Sequence, residues 1–119
     1  MLKNTFVLVN NLQHKLKITP HLRKQSQFQL QFPRNVQELL RLEQEYHPAL
    51  IIVFLPHSRD SAVRACRYLK HNDQIKNIPI LLIDPTLLTH EPQVADACLS
   101  LNVGERALEQ IMRQLTMGY

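Results

Sequence analysis

Apolar and polar positions fall in blocks along the chain, and the period inside each block switches between strand-like and helix-like. Thr5 to Val9 (TFVLV) is a short run of β-branched and apolar residues and predicts a buried strand. In the polar, basic segment that follows, Leu12, Leu16 and, less regularly, Ile18 and Leu22 mark a partial helical face. Pro20 lacks an amide donor, so a kink is expected there, or a restart of the helix with Thr19 as its cap. Phe28, Leu30 and Phe32 alternate with Gln29 and Gln31 at period two, which predicts an edge strand with one face toward water.

Asn35 and Glu38 have capping-box spacing, and Val36, Leu39, Leu40 and Leu42 supply the apolar side of a helix ending near Tyr46, before Pro48. Ala49 to Leu55 is continuously apolar, as a central parallel strand covered on both faces must be. Ser58 or Asp60 is expected to cap the next helix, where Ala62, Val63, Ala65, Cys66 and Leu69 cluster at spacings of three and four. Ile78 to Ile83 predicts another buried strand, with Pro79 tolerable only near its start. Pro85 to Pro92 carries two prolines and little periodicity, so a loop or a single turn is expected. Ala97 to Leu101 predicts the last strand. Asn102 and Glu105 repeat the capping-box spacing ahead of an amphipathic helix marked by Leu108, Ile111, Met112 and Leu115. The resulting order, β-α-β-α-β-α-β-loop-β-α, describes an α/β fold with a five-stranded parallel sheet flanked by helices.

Composition narrows the function classes. A chain of 119 residues, 45% hydrophobic and 20% charged, suits one domain spanning residues 1–119 with its own core. Its longest apolar run, Ala49 to Pro56, falls far short of the roughly 20 residues of a membrane-spanning helix, and the first residues lack a secretory h-region. A cytoplasmic protein with no membrane contact is therefore expected. Gly104 and Gly118 are the only glycines and both lie late in the chain, so no glycine-rich phosphate loop follows an early strand. Cys66 and Cys98 form neither a metal-spaced cluster nor a disulfide framework and read as buried small hydrophobes.

The histidines show no ligand spacing, and no glycine-flanked nucleophile elbow surrounds Ser58 or Ser61; no metal, cofactor or catalytic residue is expected. Charge is unevenly placed. Residues 1–37 carry Lys3, Lys15, Lys17, Arg23, Lys24 and Arg34 without a carboxylate, about +6, whereas eight basic and ten acidic residues in the remainder give about −2. This asymmetry favours an acidic partner for the first helix.

The order and length of the elements resemble the receiver domain of bacterial two-component response regulators over nearly the whole chain. FVLVNN sits where that family has an apolar strand ending in two acids. HPALIIVFLP resembles its "PDLILLD…P" strand, and NIPILLID its "IPIIxLTA" strand. The resemblance implies a flavodoxin-like three-layer sandwich with strand order 2-1-3-4-5. The stretch between Asp84 and Leu101 is several residues shorter than the family's, which implies a short or missing fourth helix.

It also implies that the family's phosphorylation pocket has been replaced. The paired Mg²⁺-binding acids correspond to Asn10 and Asn11, whose neutral oxygens hold a hard divalent ion poorly. The phosphoacceptor aspartate corresponds to Phe54, which has no nucleophilic atom. The hydroxyl residue of the fourth strand corresponds to Asp84, and the lysine and proline of the last strand to Leu101 and Asn102. A lysine left without its carboxylates would be a buried unpaired charge, so these changes are electrostatically consistent. Asp60 and Asp84 read as solvated or helix-capping carboxylates before they read as a residual cation site.

By type this resembles the pseudo-receiver domains of cyanobacterial clock proteins, which lack the acceptor aspartate and act by binding proteins. The expected function is a phosphorylation-independent, non-enzymatic signalling module that docks on another signalling protein, such as a kinase, a clock component or a regulator. The candidate surfaces are the basic first helix (Lys15, Lys17, Arg23, Lys24) and the remodelled stretch with the last helix (Leu87, Leu88, His90, Arg106, Gln110, Arg113). The Gln-rich edge strand offers a route to a homodimer.

Two alternatives belong to other classes. One is a transcriptional or nucleic-acid-associated regulator, alone or as the front part of a longer response regulator, although no aromatics interleave with the basic residues as nucleic-acid binding would favour. The other is a small flavodoxin-like enzyme using the crevice beyond the strand ends.

Overall fold

The computed structural model describes residues 3–9, 11–23, 28–55, 59–83, 95–100 and 104–117. Five strands, β1 (Lys3–Leu8), β2 (Phe28–Gln31), β3 (Leu50–Val53), β4 (Ile80–Ile83) and β5 (Ala97–Leu99), form one parallel sheet in the order β2-β1-β3-β4-β5. Four helices, α1 (Leu12–Arg23), α2 (Val36–Tyr46), α3 (Arg59–His71) and α4 (Glu105–Met117), complete the described residues. The parallel sheet is the one expected from the alternation of periods, and its strand order is the flavodoxin-like one that the receiver resemblance implied. The Pro85–Pro92 loop and the shortened fourth-helix region fall in 84–94, outside the described residues.

β3 and β4 are apolar at every position, and β1 over Phe6–Leu8, because both faces of the sheet are covered there. Phe6 and Leu8 of β1, Ile51 and Val53 of β3 and Ile80 and Leu82 of β4 point to one side, where Leu39 of α2 and Ala62, Cys66 and Leu69 of α3 meet them. The intervening residues Val7, Leu50, Ile52, Leu81 and Ile83 point to the other, against Ile18 and Leu22 of α1 and Leu108 and Met112 of α4. The strict two-residue alternation of a strand thus builds two cores from one sheet.

Helix ends follow local chemistry. Asn35 caps α2 through its side-chain oxygen, which accepts the Glu38 N–H at 2.8 Å. Glu38 completes the box one residue further out than the usual motif, accepting the Arg34 N–H at 3.2 Å. His47 ends the same helix in the left-handed region at φ 46° and donates its N–H to Glu43 O at 3.0 Å.

Three expectations are corrected. Pro20 lies inside a continuous α1, so the helix does not restart with Thr19 as its cap; the Thr19 hydroxyl instead donates to Lys15 O within the helix. Pro20 leaves the Leu16 carbonyl without an amide donor, but Leu16 is 63% exposed, so water can satisfy it. Of the two caps expected for α3, Asp60 sits in the first turn, past the capping position, while Ser58, directly before the helix, lies outside the described residues. The last helix starts at Glu105, with the Gly104 carbonyl accepting Leu108 N–H at 3.3 Å, so the helix begins later than a cap at Asn102 would place it. Gly104 takes φ +91°, a backbone conformation open to glycine and strained for other residues.

β5 is fastened to the sheet by Asp96. Its N–H donates to Ile80 O at 2.9 Å, and its Oδ2 accepts both the Ile80 N–H at 2.7 Å and Lys70 Nζ of α3 at 2.5 Å. Nearby, burial and then the neighbouring Cys98 push the Cys66 thiol up to about 12.

Replacing Asn35 with Ala should lower stability by about 1 kcal/mol in urea unfolding, since a Glu38 amide loses its cap. The Cys66 shift has a pH consequence. In the unfolded chain the thiol ionises near 8.5, whereas the folded protein keeps its proton to about 12. The folded state therefore binds the extra proton across that window, and stability falls as pH rises through it, by at most about 1.4 kcal/mol per pH unit from this group. Cys66→Ala should flatten that part of the stability profile relative to the parent protein.

Candidate functional site

Open parallel sheets bind ligands beyond the carboxyl ends of their strands, and here the end of β3 carries a phenyl ring, Phe54. Leu8 of β1 pairs with Val53 of β3, and the next amide, Phe54 N–H, donates to Leu8 O at 3.0 Å. The alternation along β3 sends the Phe54 side chain to the α1 and α4 side, where it is fully buried with Val9 and Ile52. A buried phenylalanine of this kind contributes about 1.5–3 kcal/mol through area removed from water.

His14 closes over that ring. It lies four and eight residues before Ile18 and Leu22, so the three side chains form the buried stripe of α1. Its imidazole is 4% exposed and meets the Phe54 ring edge-on, with centroids 6.0 Å apart and planes at 67°. Asn11 fixes where this stripe starts. Its Oδ1 accepts the His14 N–H at 2.9 Å, and its carbonyl accepts the Lys15 N–H at 3.2 Å, the two bonds of an N-cap. The oxygen expected to stand where a cation ligand would be is bonded to the terminus of its own helix.

Sequence reasoning missed both residues in these roles. Of the apolar face expected at Leu12, Leu16, Ile18 and Leu22, the last two are buried as expected, whereas Leu12, 67% exposed, and Leu16 lie on the outer face and His14 joins Ile18 and Leu22 on the inner one. The signal was the regular spacing of four between those three; a histidine at its head concealed it.

The other expected site residues are not brought together among the described residues. Asn10, Asp84 and Leu101 of the degenerate pocket lie outside them, as do Lys24, Leu87, Leu88 and His90 of the candidate surfaces. Asp60 is exposed on α3. No three His, Cys, Asp or Glu side chains among the described residues gather into a group able to hold a metal ion.

Two outer surfaces are defined. On α1, exposed Leu12 and Leu16 alternate with exposed Lys15 and Lys17, and Arg23 ends the helix. Beside them Lys15, Leu12, Phe32, Arg34 and Glu38 line a groove of about 340 Å³. Lys15 Nζ stands 4.7 Å from the Phe32 ring centre, and Arg34 pairs with Glu38 at 3.3 Å. On α4, exposed Arg106, Gln110 and Arg113 share a shallow depression of about 620 Å³ with Met117. There Arg113 Nη2 pairs with Glu109 Oε1 at 3.3 Å. β2 forms one edge of the sheet and β5 the other.

No protein-family model matches the sequence, and no curated protein matches it either. Solved structures do. The signal receiver domain of a signal transduction histidine kinase from Syntrophus aciditrophicus superposes with a TM-score of 0.73 at 20% identity, over 98% of this chain and 91% of that one. The chemotaxis protein CheY4 of Vibrio cholerae gives 0.75 at 12% identity, over 97% and 99%. A response regulator receiver modulated diguanylate cyclase from Pelobacter carbinolicus gives 0.72 at 19% identity, over 96% and 92%. No helix among the described residues is long and apolar enough to cross a membrane. At these identities the likeness is one of architecture, and it establishes that this chain has the CheY-like receiver fold.

Proposed function

We propose that the chain is a pseudo-receiver: a receiver-fold signalling module that works by docking on a protein partner, carries out no catalysis and takes no phosphoryl group on an aspartate. The burial of Phe54 under His14 carries this reading. Aspartyl phosphorylation needs an exposed carboxylate nucleophile beside a divalent cation, and the end of β3 presents a closed aromatic contact. The neighbouring Asn11 supplies no charge and is engaged in capping α1. With Asn10 beside it in the sequence, the Mg²⁺-binding pair of a receiver corresponds to two amides, which hold such an ion far less well than carboxylates.

The outer face of α1 supports the docking role. Exposed leucines next to exposed lysines suit an acidic partner that also offers apolar side chains, and the first 37 residues carry no carboxylate to oppose it. The α4 surface, with Arg106, Gln110 and Arg113, is the second candidate. Among the structurally similar proteins, the Syntrophus domain comes from a histidine kinase and the Pelobacter protein is named as a receiver-modulated diguanylate cyclase. A regulatory role at the front of a longer chain is the reading those names favour next.

The test is an amide NMR titration of the protein with beryllofluoride and Mg²⁺, the pair that mimics an aspartyl phosphate. The expected result is no saturable shift at Asn11, His14 or Phe54. Saturable shifts clustered at those amides would show a working phosphoryl site and end the proposal.

A further inference from the structure

The ion pair between Lys70 of α3 and Asp96 at the foot of β5 sets the register between this helix and this strand. Cys66 lies four residues before Lys70, on the same helix face and about 6 Å nearer the carboxyl end of the sheet, since the helix runs antiparallel to the strands. Cys98 lies two residues after Asp96, on the same strand face and about 6.6 Å along in the same direction. The two displacements match, so the ion pair carries Cys66 opposite Cys98. Packing agrees: Cys66 is fully buried in the core between the sheet and α3, and half-buried Cys98 packs against that same core. Electrostatics agrees too, because after burial itself the second influence raising the Cys66 thiol is Cys98.

We propose that Cys66 and Cys98 form an oxidation-sensitive dithiol that closes to an intramolecular disulfide between α3 and β5 when the protein meets a peroxide. Cys98 reacts first because it is the one of the pair within reach of solvent. Its sulfur attacks one peroxide oxygen and becomes a sulfenic acid, while the O–O bond breaks and the other oxygen leaves as water. The Cys66 sulfur then gives up its proton and attacks the sulfenic sulfur. The S–S bond forms, the S–O bond breaks, and the departing hydroxide takes the proton as a second water. Two thiols lose two electrons and peroxide gains them. Burial makes the Cys66 step slow, while the Lys70 ammonium one turn away favours the attacking thiolate.

The closed bond would enclose β4 and residues 84–94 within a covalent loop, which restricts the unfolded chain and raises the melting temperature. The experiment treats the intact protein with a small excess of hydrogen peroxide, alkylates the remaining thiols, digests and maps the peptides by mass spectrometry. The expected product is a monomer with the Cys66 and Cys98 peptides joined, a melting temperature higher by roughly 5–15 °C, and full reversal by dithiothreitol. Cys98→Ser, at a half-buried strand position, should show neither the joined peptides nor the shift while keeping the circular dichroism spectrum of the reduced parent. Sulfinic Cys98 beside a reduced Cys66, a dimer linked through Cys98, or two thiols left unreacted would each overturn the proposal.

Discussion

Everything distinctive about this molecule depends on one dry contact, the Phe54 ring at the end of β3 against the His14 ring of α1. It follows from two independent periodicities. Alternation along β3 turns residue 54 toward α1, and the spacing of four along α1 brings residue 14 down onto the sheet with Ile18 and Leu22. A carboxylate at residue 54 would need water or a cation at its side; a phenyl ring needs neither and gains from being covered. At the end of β3, beyond which open parallel sheets ordinarily bind ligands, Phe54 instead continues the core.

The charge pattern is the counterpart of that contact. The residues at 10, 11 and 54 are all neutral, so none of them brings a charge that would call for a buried counter-ion. Asn11 serves the helix, and its bond to the His14 amide aligns the turn that places His14 over Phe54. The basic, leucine-bearing side of α1 is then left to face outward.

Much of this fold could be read from the residues, because the central strands are buried on both sides and so are written as unbroken apolar runs at 50–55 and 80–83. The α2 cap was equally legible, since Asn35 and Glu38 act within four residues of each other. What stayed hidden was decided by tertiary context. Leu12 and Leu16 have the chemistry of core residues, yet the sheet covers the opposite side of α1, where a histidine heads the stripe. Pro20 is admitted into the helix because the carbonyl it deprives lies at the surface. The delayed start of α4 rests on the positive φ of Gly104, which a capping-box spacing two residues earlier does not encode. The facing of Cys66 and Cys98 also depends on pairing of β5 with β4, a contact no local pattern announces.

The most direct measurement on the sheet end is divalent-cation binding itself, followed by electron paramagnetic resonance of Mn²⁺ as a stand-in for Mg²⁺ added to the purified protein. With Phe54 buried at the end of β3 and amides at positions 10 and 11, the Mn²⁺ signal is expected to equal that of the free ion up to millimolar protein. A saturable loss of free Mn²⁺ at one site per chain, competed by Mg²⁺ and accompanied by broadening of the Asn11 and Phe54 amides, would contradict it.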